Sequence, residues 1–592
     1  MSDLNHAQWA IQQVEKIKSS SDPRVRYRNV RPITDIRDMF ISSAKLYADR
    51  PAFLVKDEPG GPYRSVTYRK AKEDVDALGT ALLSMGLSGK RIGIIGENSY
   101  QWAITYLAAV TGVGVVVPLD KELPENELLH LVKEAEIECI FFDKKYEALF
   151  RSMKESGQTK LLFLINMKGT EIAEDTLSQK SLLEIGYNLL KNGNRAFLDA
   201  GIDPEEMSIL LFTSGTTGLS KGVMLSHRNI AADLMAMVTL VHIVKEDVFF
   251  SVLPIHHTYE CTCGFLCPLF CGAAIAYCEG LKYIVKNLAE AKPTIFLCVP
   301  LILENLYSKI WKTAKKKGAD KKLKKLLRIN YYTKKLKLDL APLLLKSVVA
   351  VFGGRLRLLI AGGAPVDPAI IEGIQAFGIN CLQGYGLTEC GPIAALNPDV
   401  NPNASSAGCM PPGMECKIVD ADDVGIGEIC IRGENVMMGY YNNQEATAEV
   451  LKDGWFHTGD LGYMDREGFL HITGRKKNVI ITKNGKNVFP EELEYYLNKI
   501  SYVEECLVSG RMREEDGETV IFAAIKPDRE ELEEQLGVEF EKEMAEQLIW
   551  KKIDELNKKQ PIYKRIQRME LRETEFEKTT ARKIKRYAKA NQ

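Results

Sequence analysis

The chain has 592 residues, of which 45% are hydrophobic and 27% charged, as in a globular protein with more than one core. Its formal net charge of −1 gives no reason to expect nucleic acid or an acidic partner, so any charged ligand must be bound locally. Its 13 cysteines have no regular pairing, and the N-terminus carries neither a signal nor a transit pattern, which favours the reducing cytoplasm. The longest apolar run, residues 264–278, is interrupted by Pro268 and Gly272, so we expect no transmembrane segment.

Strand-like and helical segments alternate along most of the chain. Strand-like runs cover residues 90–98, 139–143, 161–166 and 356–363, and residues 103–113 have helical character. This alternation predicts an α/β fold with layers of buried parallel strands.

The composition changes after a polar, glycine-containing segment at residues 474–494. A helix from Pro490, two strand-like runs at 503–510 and 518–527, a long charged helix and a basic tail follow it. We therefore expect a large N-terminal domain of layered α/β subdomains at residues 1–475 and a small C-terminal α+β domain at residues 476–592.

A basic insert at residues 309–337 carries 13 Lys or Arg against a single acidic residue, Asp320. Leu323, Leu326, Leu327 and Leu336 are interleaved with the charges. One interpretation is a solvated basic helical hairpin, because charge runs usually face water. The other is contact with anionic lipid headgroups or cofactor phosphates, with the leucines in the interface.

The segment LFTSGTTGLSKGVMLSHRNI at residues 211–230 combines glycines, hydroxyl side chains and Lys221. Its spacing does not fit the Walker loop, which requires Gly, four residues, and then Gly-Lys-Ser/Thr. The chemistry of an anion site is still present, because glycines let amides approach an anion, hydroxyls donate hydrogen bonds and a lysine adds charge. A strand at 207–213 precedes the segment, and Ser226 is placed to cap the next helix. The alternative is a flexible surface turn.

Further motifs follow this segment in a fixed order: AGGAP at 361–365, QGYGLTE at 383–389, GEICIRGENVMMGYYNNQEAT at 427–447, GWFHTGDLGYMDREGFLHITGRKKNVI at 454–480 and EKTTARKIKR at 577–586. Together they resemble the adenylate-forming (AMP-binding) superfamily of acyl-CoA synthetases, luciferases and peptide-synthetase adenylation domains. The resemblance implies an enzyme that uses Mg²⁺ and ATP to convert a carboxylic acid to an acyl adenylate, and then transfers the acyl group to CoA.

The resemblance also implies roles for individual residues around the nucleotide. Glu389, which follows Thr388, takes the place of the Mg²⁺ ligand, and a carboxylate suits that hard cation. Asp460 would accept hydrogen bonds from both ribose hydroxyls, with Arg475 near the same ribose. The β- and γ-phosphates would be bound by Thr213, Ser214, Gly215, Thr216, Thr217 and Lys221. The adenine side would be formed by Gly362, Gly363, Ala364, Pro365, Gly384, Tyr385 and Gly386, with the tyrosine as a stacking face.

Two lysines take distinct places in the resemblance. Lys583 occupies the position of the catalytic lysine that contacts the substrate carboxylate and the α-phosphate. The motif departs from the family pattern, since Glu577 stands for Pro and Arg582 for Gly, which leaves Lys585 as a rival. Lys477 occupies the hinge position, about which the small mobile C-terminal domain would rotate between the two half-reactions. Residues 483–490 would then meet CoA.

The carboxylic acid substrate would be bound near residues 253–272. These residues resemble the family segment that gates the acyl pocket, and His257 takes the place of the family's histidine in that segment. The nearby cluster of His256, His257, Cys261, Cys263, Cys267 and Cys271 fits neither a zinc-knuckle nor a ferredoxin spacing, so we expect small residues lining an apolar tunnel. The basic insert resembles that of long-chain fatty acyl-CoA synthetases.

A medium- to long-chain fatty acid is therefore the expected substrate, with fatty acid, ATP and CoA as small-molecule partners and no nucleic acid. Two alternatives stay open: a ligase that loads a carrier protein in trans, and a catalytically silent homologue that binds nucleotide or acyl groups. A serine hydrolase is disfavoured, because the Gly-x-Ser-x-Gly pattern at residues 218–222 lies inside the segment that resembles the adenylate-forming superfamily.

Overall fold

The structure of the chain is a computed structural model. It describes residues 2–169, 175–213, 220–335, 338, 340–482, 486–513, 518–537, 540–578, 584–586 and 588–591. In these ranges, two large sheets, a smaller antiparallel sheet and a C-terminal α+β unit follow one another along the chain.

The first sheet has eight strands and is parallel except at one edge. Antiparallel pairing joins only the first three strands in the spatial order. That order is Gly439–Tyr440, Lys221–Ser226, Met207–Thr213, Gly114–Pro118, Lys90–Ile95, Cys139–Phe142, Phe163–Asn166 and Leu177–Ser178. The strands expected near residues 90, 139, 161 and 207 are thus confirmed, with ends shifted by a few residues.

The second sheet also has eight strands, parallel in its centre and antiparallel at both edges. Its spatial order is Ile393–Leu396, Asn380–Gly386, Leu358–Ala361, Ile295–Cys298, Val248–Ser251, Ala274–Tyr277, Pro51–Val55 and Arg64–Thr67. Side chains alternate between the faces of a strand. Phe249 accordingly packs into a core shared with the first sheet, and Phe250 into a separate core on the outer face.

Helices fill the space between the two sheets and cover their outer faces. Ser226 caps His227–Met237 as expected, since its hydroxyl accepts the amide of Asn229 in a capping box. The helices of this part are Ser2–Ser19, Ile36–Leu46, Tyr68–Ser84, Tyr100–Ala108, Glu125–Glu134, Glu147–Glu155, Gln179–Lys191, His227–Met237, Cys267–Cys271, Ile284–Ala291, Pro300–Lys316, Asp320–Lys335, Ala341–Leu344, Lys346–Val349 and Pro368–Ala376. The layered α/β architecture is therefore confirmed.

The basic insert forms a helical hairpin of Pro300–Lys316 and Asp320–Lys335 on the outer face of the second sheet. Leu323 is buried in the outer core, and Leu326 and Leu327 pack against it. Of the two interpretations, the helical hairpin is therefore the one observed, and the alternative that these three leucines face a lipid interface is wrong, because the core takes the apolar side of the helix; Leu336 lies outside the described residues. In the part of the chain that the structure describes, no helix has the length and apolar character needed to cross a membrane.

An antiparallel sheet connects this body to the C-terminal unit. It contains Glu415–Val419, Gly427–Arg432, Trp455–Met464, Leu451–Lys452 and Leu470–Arg475, with the helix Gln444–Val450 beside it.

The C-terminal unit has a hydrophobic core of its own. The prediction of one long charged helix is wrong, because the segment forms two helices. Gly537 adopts a left-handed conformation with φ of 67° and ends the first of them. Its strands are Ile480–Ile481, Asn487–Val488, Val503–Met512, Thr519–Pro527 and Arg568–Leu571, and its helices are Pro490–Leu497, Arg529–Leu536 and Lys542–Asn557.

Candidate functional site

The glycine- and hydroxyl-rich segment connects two neighbouring strands of the first sheet. Thr213 ends one strand and is paired with Lys221, which begins the next, and the Thr213 hydroxyl donates a 3.4 Å hydrogen bond to the Lys221 carbonyl. Ser214, Gly215, Thr216 and Thr217 lie outside the described residues. The segment therefore leaves the first sheet at the carboxyl end of a parallel strand, where open α/β sheets bind ligands.

Lys221 and Glu389 are linked through a residue that the sequence did not single out, Tyr440. The Lys221 ammonium lies 4.7 Å from the centre of the Tyr440 ring, and the Tyr440 hydroxyl donates a 2.9 Å hydrogen bond to Glu389 Oε1. Burial, reinforced by the Glu389 carboxylate, raises the pKa of Tyr440 well above its usual range, so the phenol keeps its proton and acts as a donor. Thr388 begins the short 3₁₀ turn that carries Glu389.

Asp460 lies between two donors. Tyr385 donates a 2.6 Å hydrogen bond to Asp460 Oδ2, and Arg475 Nε lies 2.8 Å from Asp460 Oδ1. Asp460 and Arg475 face one another across two antiparallel strands, so the sheet register sets this ion pair. The Asp460 side chain is 6% exposed and that of Arg475 is 49% exposed, which leaves the guanidinium open to a ligand.

The glycines expected on the adenine side have different structural reasons. A Cβ at Gly386 would lie 2.2 Å from the Pro392 carbonyl oxygen, and one at Gly362 would lie 2.9 Å from the Tyr259 ring. The packing of the protein itself therefore requires both glycines. Gly384 is less restricted, since its Cβ would meet the Leu396 side chain at 3.2 Å.

The AGGAP motif continues from the carboxyl end of Leu358–Ala361 as a surface loop. Gly363 adopts a φ of 84°, and Gly363, Ala364 and Pro365 are exposed. The loop is thus available to a ligand at the edge of the second sheet.

A side chain from the first sheet holds the loop that carries His257. The Asn98 amide donates to the Leu253 carbonyl at 2.7 Å and to the Ser251 hydroxyl at 3.0 Å, and its oxygen accepts the Ile255 amide at 3.1 Å. Asn98 follows the strand Lys90–Ile95, whereas the loop follows Val248–Ser251 of the second sheet. This one asparagine therefore joins the carboxyl ends of both sheets, and no sequence pattern distinguished it.

Glu260 is a second residue that the sequence did not reveal. It lies in a π-helical turn, Tyr259–Leu266, and its carboxylate is buried with the Ser251 side chain beside it. Burial raises the pKa of Glu260 to about 8, against an ordinary value of 4.5. Of the nearby cysteines, Cys261 lines a small apolar cavity together with Thr262 and Tyr106.

The C-terminal lysines are placed differently from one another. Lys477 is exposed in the turn Lys476–Asn478, between the antiparallel sheet and the C-terminal unit. Lys585 pairs with Glu577, with its ammonium 3.0 Å from the carboxylate and its amide donating to the Glu577 carbonyl at 2.8 Å. Lys583 and Arg582 lie outside the described residues.

The C-terminal unit contacts the main body through Asp367. This carboxylate caps the helix Pro368–Ala376, lies 2.9 Å from the Lys499 ammonium and accepts the Tyr495 hydroxyl at 3.2 Å. The contact holds the two units in the arrangement seen here.

Two family models match the chain. The model described as AMP-binding enzyme matches residues 40–441, and the model described as AMP-binding enzyme C-terminal domain matches residues 477–592.

Curated relatives are similar over most of their length. The long-chain-fatty-acid–CoA ligase 1 of Cavia porcellus is 29% identical over 556 residues, which cover 87% of this chain and 76% of the relative. The long chain acyl-CoA synthetase 1 of Arabidopsis thaliana is 30% identical over 521 residues, which cover 81% and 77%.

Solved structures share the fold. The anthranilate CoA ligase AuaEII, in complex with anthranoyl-AMP, has a TM-score of 0.73 at 21% identity, covering 93% of this chain and 96% of its own. ATP-bound MatB from Rhodopseudomonas palustris has a TM-score of 0.70 at 23% identity, covering 93% and 97%.

The buried Glu260 carboxyl predicts a pH dependence of stability. Between its ordinary value of 4.5 and about 8, the folded chain holds a proton that the unfolded chain releases, so the free energy of unfolding falls as pH rises. Glu260→Gln keeps the shape and cannot ionise. We expect its stability relative to the parent chain to increase by about 1 kcal/mol per pH unit across this window.

Denaturant unfolding at several pH values between 5 and 8 measures this difference. Glu449→Gln makes the same chemical change at an exposed position and should leave the pH profile unchanged. Parallel profiles for the parent chain and Glu260→Gln would show that Glu260 is ionised in the folded protein.

Proposed function

The chain belongs to the AMP-binding enzyme family, and we propose that it activates a medium- to long-chain fatty acid with ATP and transfers the acyl group to CoA. The reaction forms acyl-AMP and pyrophosphate first, and then acyl-CoA and AMP. The curated relatives named as long-chain fatty acid ligases support this acid, since their similarity covers most of the chain.

The observation that carries the nucleotide part of the proposal is the linkage of two polar clusters. Lys221, Tyr440 and Glu389 form one cluster, and Tyr385 and Asp460 belong to the other. Tyr385 and Glu389 are four residues apart, at the end of one strand and in the turn that follows it, so both clusters border the same sheet edge. Cationic, acidic and hydroxyl groups thus occur together where parallel strands end.

Each cluster suits one part of ATP. Joining a carboxylate to the α-phosphate brings two anions together, and Lys221 supplies a positive charge where the phosphates would lie. We assign Thr213, Ser214, Gly215, Thr216 and Thr217 to the same phosphates. Asp460 would accept the ribose hydroxyls, since a carboxylate offers two acceptor oxygens.

Glu389 fits the Mg²⁺ that this chemistry uses. Its side chain is partly exposed, and the hydrogen bond from Tyr440 engages only Oε1, which leaves Oε2 as a hard oxygen ligand. When bound, Mg²⁺ would neutralise phosphate charge. Tyr440 orients the carboxylate.

We assign a large domain to residues 1–475 and a small one to residues 476–592, with Lys477 as the hinge. A rotation about Lys477 must break the contacts of Asp367 with Tyr495 and Lys499. These contacts are polar and partly exposed, so replacing them by contacts with water costs little free energy. Such a rotation would move the catalytic lysine out of the site and bring residues 483–490 to the CoA.

A panel of acids tests the substrate. We expect CoA-dependent release of AMP to peak between medium and long fatty acids in a series from C2 to C18 that also includes aromatic acids, because relatives similar over most of the chain are named for long-chain acids. A maximum at acetate or benzoate would contradict the fatty acid assignment. Activity with a phosphopantetheinylated carrier protein in place of CoA would establish the carrier-loading alternative. ATP binding without acid-dependent pyrophosphate exchange would establish a silent homologue.

We propose Lys583 as the catalytic lysine. Lys585 is already paired with Glu577, the residue that replaces the family's proline. Lys583→Ala should lower acyl-AMP formation by about 100-fold and leave the conversion of supplied acyl-AMP to thioester largely intact. Lys585→Ala is the matched control and should change adenylation only a few-fold. The reverse result would move the catalytic register by two residues.

We propose, in addition, that the hairpin of Pro300–Lys316 and Asp320–Lys335 contacts anionic lipid. Its second helix turns its leucines inward and exposes Ile329, Tyr331 and Tyr332, of which the two tyrosines are 59% and 54% exposed. Aromatic side chains among lysines suit an anionic membrane surface.

Sedimentation with phospholipid vesicles tests this contact. Replacing Lys321, Lys322, Lys324 and Lys325 by Gln should lower the fraction bound to anionic vesicles by at least about tenfold, since each lysine contributes about 1 kcal/mol near such a surface. Replacing the exposed Lys133, Lys144, Lys145 and Lys452 makes an equal charge change elsewhere and should have little effect. Equal binding of both variants, or equal binding to neutral vesicles, would contradict the proposal.

A further inference from the structure

A third polar cluster is formed by Asp120, His256 and His257. One ligand atom from each of the three side chains lies within 4.8 Å of the other two. Asp120 follows the strand Gly114–Pro118 of the first sheet, and the two histidines follow Val248–Ser251 of the second sheet. The cluster therefore exists only because the two sheets bring their strand ends together.

The contact between His256 and Asp120 is not a complete hydrogen bond. His256 Nε2 lies 3.4 Å from Asp120 Oδ1, which is longer than an ordinary N–H···O hydrogen bond. The His256 side chain is 8% exposed, and its Nε2 has no hydrogen-bond partner in the ranges that the structure describes. A buried imidazole nitrogen thus points at a carboxylate and leaves a polar gap between them.

The surrounding contacts hold the imidazoles in place. Asn98 fixes the backbone of the loop at Leu253 and Ile255, just before the histidines. The two imidazole rings are 4.3 Å apart between centroids. The adjacent Lys121 forms an ion pair with Glu97, so its charge is directed elsewhere.

We propose that Asp120, His256 and His257 form a binding site for a first-row transition metal cation of the Zn²⁺ class. Two imidazoles and one carboxylate are a known zinc donor set, and Mg²⁺ or Ca²⁺ would select oxygen ligands instead. With bonds of 2.0–2.2 Å, two ligands of a tetrahedral site lie about 3.4 Å apart, which is the distance between His256 and Asp120. His257 needs to approach by at most about 1.4 Å, and the fourth position is left for water or an anion.

The site has a consequence for catalysis, and this part rests on the proposed function. His257 holds the position that we assign to the acyl pocket. Asp120 leaves the first sheet at the same edge as the phosphate segment, because the strands that precede them, Gly114–Pro118 and Met207–Thr213, are parallel neighbours. A bound Zn²⁺ would fix His257 and occupy space beside the reacting acid. The cation therefore inhibits acid activation.

Metal binding is measured directly on the full-length, metal-free chain, without ATP or acid. Zn²⁺ affinity is determined by competition with a chromogenic chelator for the parent chain, Asp120→Asn and His256→Gln. Each variant removes one ligand, so we expect the affinity to fall by at least about tenfold. The absorption of bound Co²⁺ should likewise lose intensity in both variants.

His471→Gln is the matched control, because His471 forms a similar partly buried pair with Asp465 at 2.9 Å. It should bind Zn²⁺ like the parent chain. All four proteins contain the same 13 cysteines, so any binding of Zn²⁺ to cysteine is equal among them. Differences in Zn²⁺ affinity therefore report on the proposed ligands. Asp120→Asn preserves the size of the side chain, and the melting temperatures without metal show whether each variant is folded.

Equal Zn²⁺ affinity in the four folded proteins would overturn the site. Inhibition of acid-dependent pyrophosphate exchange by Zn²⁺ in the parent chain, with resistance in Asp120→Asn, supports the effect on His257. Zn²⁺ binding without inhibition would overturn that effect alone. Since binding is read without substrates, a failure of the ligase assignment would not alter it.

Discussion

The central constraint of this structure is the shared hydrophobic core that holds two largely parallel sheets together. Because residues such as Ile92 and Phe249 pack into the same core, the strand ends of both sheets meet at one edge. Asn98 completes this arrangement with three hydrogen bonds, one to Ser251 at the end of a strand of the second sheet and two to the loop that follows that strand. Polar side chains that are far apart in the sequence are thereby placed together, without any of them contributing much to the core.

Two kinds of residue form the edge. Some are charged groups that a nucleotide can contact, such as Lys221 and Arg475. Others orient them: Tyr440 binds Glu389, and Tyr385 binds Asp460, each as a buried phenol whose raised pKa keeps it a donor. A carboxylate that already has one fixed donor has fewer orientations to lose when a ligand binds, so these tyrosines prepare the site for its ligand.

The C-terminal unit is connected to this edge by polar contacts. Its own core is apolar and separate, whereas its contacts with the main body include the bonds of Asp367 to Tyr495 and Lys499. Partly exposed ion pairs are weak, so the two units can change their arrangement without disturbing either core. The tail contacts this unit through the largely buried pair of Arg586 with Glu494, and Lys585 pairs with Glu577 within the tail.

The sequence by itself determined the class of fold, the order of the motifs and the family, because apolar periodicity and glycine-rich motifs are local features of the chain. It also located the strand before Lys221 and the cap at Ser226. It did not reveal Tyr440, Asn98 or Glu260, and it left open which way the leucines of the basic insert face. Only the tertiary structure decided these points, because a hydrogen-bond partner, a buried carboxylate or the inward face of a helix depends on which distant segments pack together.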